Sequence, residues 1–476
     1  MKSEQQQCLT GVPQQAELAQ LPDSESASPP RRGILSDTLT VSAFTTLAKF
    51  MGAAKAVVLA RVFGSGAALD SYLLAFLLPS FLADVFCGSL VPVLIPELVE
   101  FECWEGRAKA MDLYGHVLRR SVWLSCGAAA VLAAASALVA VLGSGSTGLN
   151  LPLLGLLMLL MTPILPLSAV ANVWRAVLNS QRRFVVPAMT VTLTPGIIIL
   201  CILLAGKSNG VWILAAGTSL ASLAEVVVLG MGLRSAGLPI LPPRRKHNRS
   251  LLDLRNEYGF LAVATAMGAG TAFIGQLMAA TLGAGSVSIL NYGTRLAGVL
   301  MAIGPAALSV TILPGFSHMV AARDWERLKQ SLWRILSVSA VVAASAAAVL
   351  IVFSVPIVRL TLQRGAFTAE DTQVVASVQA YSLLQLPFIV GSTILMRILS
   401  ALKANRTLLP FSSAAIVLNT GLNYVLMARY GVTGIALATS MAQALLFVAL
   451  AILVFRRGPR GFLKDCDPDA AYRPGN

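Results

Sequence analysis

Of the 476 residues 56% are apolar and 12% charged, with a mean hydropathy of +0.75, which excludes an ordinary soluble domain, where about a quarter of residues are charged. The net charge of +14 is spread over alternate loops, so it reads as membrane topology and not as a nucleic-acid footprint. Six cysteines without a CxxC pair, three isolated histidines (His116, His247, His318) and no GxxxxGK[ST] loop exclude a disulfide framework, a zinc centre and a built-in ATP motor; no cofactor is expected.

Residues 1–34 are a polar tail, marked by Gln5, Gln6, Gln7, Ser24, Ser26, Ser28, Pro29 and Pro30, with no apolar run and no cleavable leader. Crossing a bilayer takes about 20 apolar residues. The first half supplies six such stretches, spans 1 to 6, at 38–60, 71–96, 121–142, 151–174, 186–206 and 211–232. A basic, proline-containing link at 234–257 separates them from spans 7 to 12, at 258–282, 288–313, 331–354, 374–396, 409–428 and 432–455. A polar tail occupies 457–476. The expected fold is an all-α polytopic membrane protein with an N-terminal lobe at 35–233 and a C-terminal lobe at 258–456.

The two lobes are one pattern written twice. Phe63-Gly64-Ser65-Gly66 is answered by Leu282-Gly283-Ala284-Gly285, and Ile95-Pro96 by Leu313-Pro314. Arg175, Arg183 and Pro187 return as Arg397, Arg406 and Pro410, and Gly210-Val211 with Thr218-Ser219 returns as Gly431-Val432 with Thr439-Ser440. An offset near 220 residues makes these tandem homologous halves, the usual plan of a transporter. Basic residues gather on one face, among them Arg31, Arg32, Arg107, Lys109, Arg119, Arg120, Arg182, Arg183, the link arginines, Lys403, Arg456 and Arg457. That face, with both termini, is expected in the cytoplasm.

Charges inside spans are the candidate functional residues, because each costs at least about 2.5 kcal/mol at a helix centre unless it meets water or a partner. Lys49 and Lys55 lie in span 1, about 120° apart in azimuth, and Arg295 lies in the first turns of span 8. Together they form a cationic interior suited to a diphosphate or another anion. Asp70 opens span 2, where a helix N-terminus favours a carboxylate. Asp84 follows fourteen residues later, only about 40° away in azimuth, and Glu225 lies in span 6. These three are candidate cavity or gating groups. An enzyme using them would lack both a nucleophile and metal-ligand spacing. Pro79 in span 2 and Pro305 in span 8 interrupt equivalent helices and are candidate bending points.

The run Ala60-Arg61-Val62-Phe63-Gly64-Ser65-Gly66, Leu69-Asp70-Ser71-Tyr72, Ala75-Phe76, Leu78-Pro79 and Pro96 resembles the opening of the MurJ/MviN proteins, the lipid II flippases of bacteria. The resemblance continues at Gly285-Ser286-Val287-Ser288, Tyr292, Arg295-Leu296, Ile312-Leu313-Pro314 and Gly365-Ala366-Phe367-Thr368, covering roughly 35–455. It implies two six-helix lobes around a central cavity, in the multidrug/oligosaccharidyl-lipid/polysaccharide exporter superfamily. It also implies alternating access carrying an undecaprenyl-diphosphate-linked saccharide, foremost lipid II, to the outer leaflet of the bacterial inner membrane. By motif, the family's cavity cations fall on Lys49, Lys55 and Arg295 and its span 2 acid on Asp70. The chain departs from the family pattern at Ala83 and Asp84, where the family has arginines, at Thr294 in place of an acid, and at Gly275 in place of a cation-site carboxylate; the two further C-terminal helices common in the family do not appear. The alternatives are a flippase for another polyprenyl-linked glycan, a drug exporter, and a scaffold that recruits cell-wall synthesis enzymes.

Overall fold

The computed structural model describes residues 34–142, 150–205, 210–242, 252–295, 297–299, 301, 316, 319–320, 322, 324–402 and 408–464, and among these it is helical, with no strand. Ten helical segments among the described residues are long and apolar enough to cross a membrane. The other two expected spans also fall on helix: residues 286–295, the described beginning of span 8, and Leu408–Tyr430, span 11. Exposed leucines, valines and aromatics such as Trp123, Val141, Leu204 and Val352 cover the outside of spans 3, 5 and 9. Such an apolar surface suits lipid, not water.

The repeat is visible in the backbone. Gly210 and Gly431 both take left-handed φ, +55° and +58°, immediately before spans 6 and 12. Eight residues after each glycine, Thr218 Oγ1 donates to the Leu214 carbonyl at 2.7 Å and Thr439 Oγ1 to the Ile435 carbonyl at 3.0 Å. Helices pack closely where small residues allow it: a Cβ on Gly155 of span 4 would meet the Ser136 carbonyl of span 3 at 2.5 Å.

Several boundaries differ from the sequence expectation, each for a local reason. Span 3 belongs to a helix that starts at Arg107, because Ala110, Leu113, Tyr114, Val117 and Leu118 form a buried stripe at helical spacing ahead of the apolar run. Tyr114 Oη donates to the Ile240 carbonyl at 2.9 Å and Arg119 to the Pro242 carbonyl at 3.2 Å, so the start of the basic link is held on this stripe. Span 10 begins at Ala369, after a Thr368–Asp371 capping box, and is broken between Leu383 and Leu386. Span 12 continues as helix to Lys464, into the stretch expected as tail. The expected segment 1–34 lies outside the described residues but for Ile34, as do residues 243–251 of the basic link and residues 465–476.

The buried apolar residues fall into three clusters, and their distribution positions the site. Toward the basic-rich end each lobe has its own core. Leu90, Leu94, Leu113, Trp174 and Leu229 belong to that of the N-terminal lobe, and Leu328, Leu332, Ile394, Ile398 and Leu450 to that of the C-terminal lobe. Toward the opposite end a single core joins them, combining Leu59, Leu69 and Tyr72 with Val287, Tyr292, Phe367 and Ile435. The lobes therefore share one core at the fused end, while at the other end each keeps its own buried core, with span 7 of the C-terminal lobe laid on that of the N-terminal lobe through Tyr258 and Leu261.

Candidate functional site

At the fused end the two glycine turns that mark the repeat meet. A Cβ on Gly285 would lie 3.4 Å from the Ser65 carbonyl oxygen, and one on Gly64, at φ +64°, would lie 2.6 Å from the Ala366 carbonyl oxygen. Left-handed φ favours glycine at both positions, +64° at Gly64 and +89° at Gly285, and at Gly64 space requires it as well. The Ala366 amide donates to the Arg61 carbonyl at 3.0 Å, and Tyr292 Oη donates to the Gly64 carbonyl at 3.1 Å. The Ser65 hydroxyl donates to Asp371, which also closes the capping box of span 10. The edge of Tyr292 packs on Phe367, ring centroids 5.7 Å apart.

Asp70 completes this seam. Fully buried, it accepts from the amides of Gly285 at 2.6 Å and Ser288 at 2.8 Å and from the Ser288 hydroxyl. These are the orphan donors at the start of the span 8 helix. One lobe thus supplies the N-terminal cap of a helix in the other. Favourable placement at a helix N-terminus is legible in the sequence, but the helix that benefits most is 215 residues away.

Below the seam the span 1 and span 8 cations converge. Nη1 of Arg295 lies 4.0 Å from the point a Cβ on Gly52 would occupy, and Gly52 stands three residues from both Lys49 and Lys55. Arg295 of one lobe thus reaches the helix of the other at the position midway between the two lysines. Lys55 and Arg295 are close enough to repel each other, and Arg295 Nε donates to Asn291 Oδ1 at 3.3 Å. Lys49 and Arg295 are exposed and Lys55 half-buried, and none has an ion-pair partner among the described residues.

Span 2 carries the remaining candidates. Pro79 is buried within Ala67–Ala83 and leaves the Ala75 carbonyl without its helical donor. Five residues on, Asp84–Gly88 form a π turn closed by the Ser89 amide on the Asp84 carbonyl at 3.2 Å. Such turns insert a residue into a helix and recur at functional sites. Asp84 is exposed. Span 2 follows span 7 of the other lobe along its length, through Phe81 on Phe273 at 4.6 Å between centroids, Tyr258 Oη to the Phe86 carbonyl at 2.8 Å, and Ser89 to Thr265 at 3.0 Å. Pro305 lies outside the described residues.

Glu225 is engaged elsewhere, in an ion pair with Arg175 of span 4 inside the N-terminal lobe, where Arg175 also donates to Asn172 at 2.7 Å. The two side chains keep only 23% and 18% of their surface. Removing one partner of so enclosed a pair strands the other, so Glu225→Ala is expected to destabilise the lobe by about 3 kcal/mol, while Arg175→Met with Glu225→Met recovers most of that. Thermal unfolding in detergent checks both. The repeat does not duplicate the pair: Arg397, the counterpart of Arg175, has no ion-pair partner among the described residues.

Two repeated six-span lobes, sealed together at one end and carrying unpaired charges between them, define a transporter of the alternating-access kind. The family model described as lipid II flippase MurJ matches residues 59–466, and the chain belongs to that family. It is 25% identical over 420 residues to a probable lipid II flippase MurJ of Synechocystis sp., covering 84% of this chain and 77% of that one. It is 25% identical over 430 residues to the lipid II flippase MurJ of Burkholderia cenocepacia, covering 88% and 83%. Among solved structures, an inward closed conformation of lipid II flippase MurJ superposes with a TM-score of 0.72 over 90% of this chain and 89% of that one, at 21% identity. An inward-facing multidrug resistance MATE family transporter also gives 0.72, covering 90% and 99%, at 12% identity, a likeness of fold alone. The protein is a multi-pass bacterial membrane transporter, not an enzyme.

Proposed function

We propose that this protein moves lipid II from the inner to the outer leaflet of the bacterial inner membrane by alternating access, with both termini and the basic-rich face in the cytoplasm. The observation that carries the reading is the approach of Arg295 of span 8 to Gly52 and Lys55 of span 1, with Lys49 one turn before Gly52, in a structure fused at one end. Three cations without carboxylate partners, set in an interior where an isolated charge is costly, call for an anionic cargo. A diphosphate supplies both charge and a match to the arginine fork. The fused end is then the outer gate, and the separate lobe cores mark the cytoplasmic half through which a headgroup enters. Opening needs the seam to part and the lobes to rock, with Pro79 and the π turn of span 2 as the bending region.

The test is reconstitution of the full chain in liposomes holding lipid II, with the outer-leaflet fraction followed over time. Protein-dependent movement of lipid II supports the reading. A well-inserted protein that moves none overturns it and turns attention to other polyprenyl-diphosphate glycans, the second reading. Asp84 favours that alternative, because the arginine implied by the family pattern at this cavity position is replaced by the opposite charge.

A further inference from the structure

We propose that spans 2 and 7 are a fixed hinge, the side on which the two lobes stay joined through the whole transport cycle while the outer seam parts. The proposal rests on the reading above and says how the lobes rock. Its first support is the extent of the joint. Phe81 packs on Phe273 with ring centroids 4.6 Å apart, the Ser89 hydroxyl donates to Thr265 Oγ1 at 3.0 Å, and Tyr258 Oη donates to the Phe86 carbonyl at 2.8 Å. Tyr258 and Leu261 also pack against the inner core of the N-terminal lobe. Elsewhere span 7 is built into its own lobe. A Cβ on Gly270 would lie 3.8 Å from Ile416 Cδ1 of span 11, and one on Gly275 3.4 Å from Ile435 Cγ2 of span 12. Span 7 is therefore held by both lobes at once.

Its second support is that the repeat does not build this joint twice. Two halves related by a pseudo-two-fold axis would pair span 1 with span 8 as they pair span 7 with span 2. Aligning the equivalent turns Gly66 and Gly285 sets Thr46 and Ala54 of span 1 in register with Thr265 and Phe273 of span 7. Both span 1 residues are exposed, and so are Ser42, Leu47 and Phe50 around them. Where span 7 touches the opposite lobe, the inner half of span 1 presents open faces. A helix pair that must part and rejoin shows such faces when apart, whereas a pivot stays packed.

The chain between the lobes reinforces the joint. Tyr114 Oη and Arg119 donate to the carbonyls of Ile240 and Pro242, and Leu238 between them and span 6 is buried. Pro242 sits so close to span 3 that a Cβ on Gly115 would lie 2.8 Å from its Cγ. The link as far as Pro242 and the start of span 7 at Tyr258 are thus both seated on the N-terminal lobe. The crossing from one lobe to the other falls within span 7, not in the link. Rocking then asks for local bending and not for separation. Pro79 and the π turn lie on either side of Phe81, so span 2 can flex beside the joint without leaving it.

With the native cysteines replaced, Ser89→Cys with Thr265→Cys should oxidise to a disulfide in the folded full chain, because two hydroxyls in hydrogen-bond contact stand within reach of that bridge. In liposomes the oxidised protein should move lipid II at the rate of the reduced one. Ser65→Cys with Asp371→Cys, bridged across the outer seam by oxidation or a short thiol cross-linker, should lose transport. Arrest by the hinge disulfide, relieved by a reductant, overturns the proposal, since spans 2 and 7 would then have to part. So does a hinge pair that transports but never oxidises. Labelling reads the same joint without any bridge. Thr265→Cys should be equally protected from an impermeant maleimide with Asp70 intact and with Asp70→Ala, and faster labelling with Asp70→Ala overturns the hinge. A bridged seam that leaves transport unchanged, or a wild-type protein that moves no lipid II, defeats the alternating-access flippase reading itself.

Discussion

Arg295→Ala is expected to slow lipid diphosphate transport by about 10- to 100-fold, and Lys55→Ala with Arg295→Ala to abolish it. A hydrogen bond to a charged group contributes about 1.5–3 kcal/mol when its partner remains buried, and about 1.4 kcal/mol is a factor of ten. Arg295→Lys should fall between, since it keeps the charge but gives up the two-pronged contact with a phosphate. The same substitutions separate a transport role from a structural one. Lys55 and Arg295 pair with no described carboxylate, so neutralising them breaks no described ion pair of the empty protein. The unfolding temperature in detergent should hold or rise while transport falls. A double variant that still transports at the wild-type rate would remove these residues from the cargo site and favour a scaffold.

Much of this architecture is legible in the chain. The glycine turns, the paired prolines and the apolar runs give the repeat and the spans, because a transmembrane helix is predominantly apolar and a left-handed turn favours glycine. What is missed follows two patterns. Amphipathic helix ends such as 107–120 lack the continuous apolar signal, although Ala110, Leu113, Tyr114, Val117 and Leu118 already show helical spacing. The beginning of span 10 is announced by Thr368-Ala369-Glu370-Asp371, a capping-box pattern that an apolar-window reading passes over. Partnerships between lobes are a different matter. Asp70 with Gly285 and Ser288, or Ser65 with Asp371, join residues 215 to 306 positions apart, and no local periodicity encodes them. Gly52 is likewise silent in sequence and meaningful only once Arg295 stands against it. Glu225 shows the converse: its depth marks it as costly, but only the fold reveals Arg175 as its partner.

Asp70→Ala is expected to open the outer gate and stop the transport cycle. In the sealed state Asp70 accepts from the Gly285 and Ser288 amides and the Ser288 hydroxyl. Truncation removes these charge-assisted bonds and leaves the amides buried without acceptors. When the seam parts, the same amides meet water. The substitution therefore penalises the sealed state selectively, by about 3 kcal/mol if two such bonds are lost, a shift on the order of 100-fold in the balance of the two states. Asp70→Asn should shift it less, since one oxygen can still accept while the amide nitrogen faces donors. The remaining links, Tyr292 to Gly64 and Ser65 to Asp371, hold the lobes in register without restoring the balance. Exposed Thr294, beside Arg295, offers a reporter. With the native cysteines replaced, Thr294→Cys should react slowly with an impermeant maleimide from the outer side, and much faster once Asp70→Ala is added. Transport should fall in parallel, because a carrier resting open to the outside seldom returns for cargo. Unchanged labelling with unchanged transport would mean that the shared apolar core alone seals this end and that Asp70 serves only its helices.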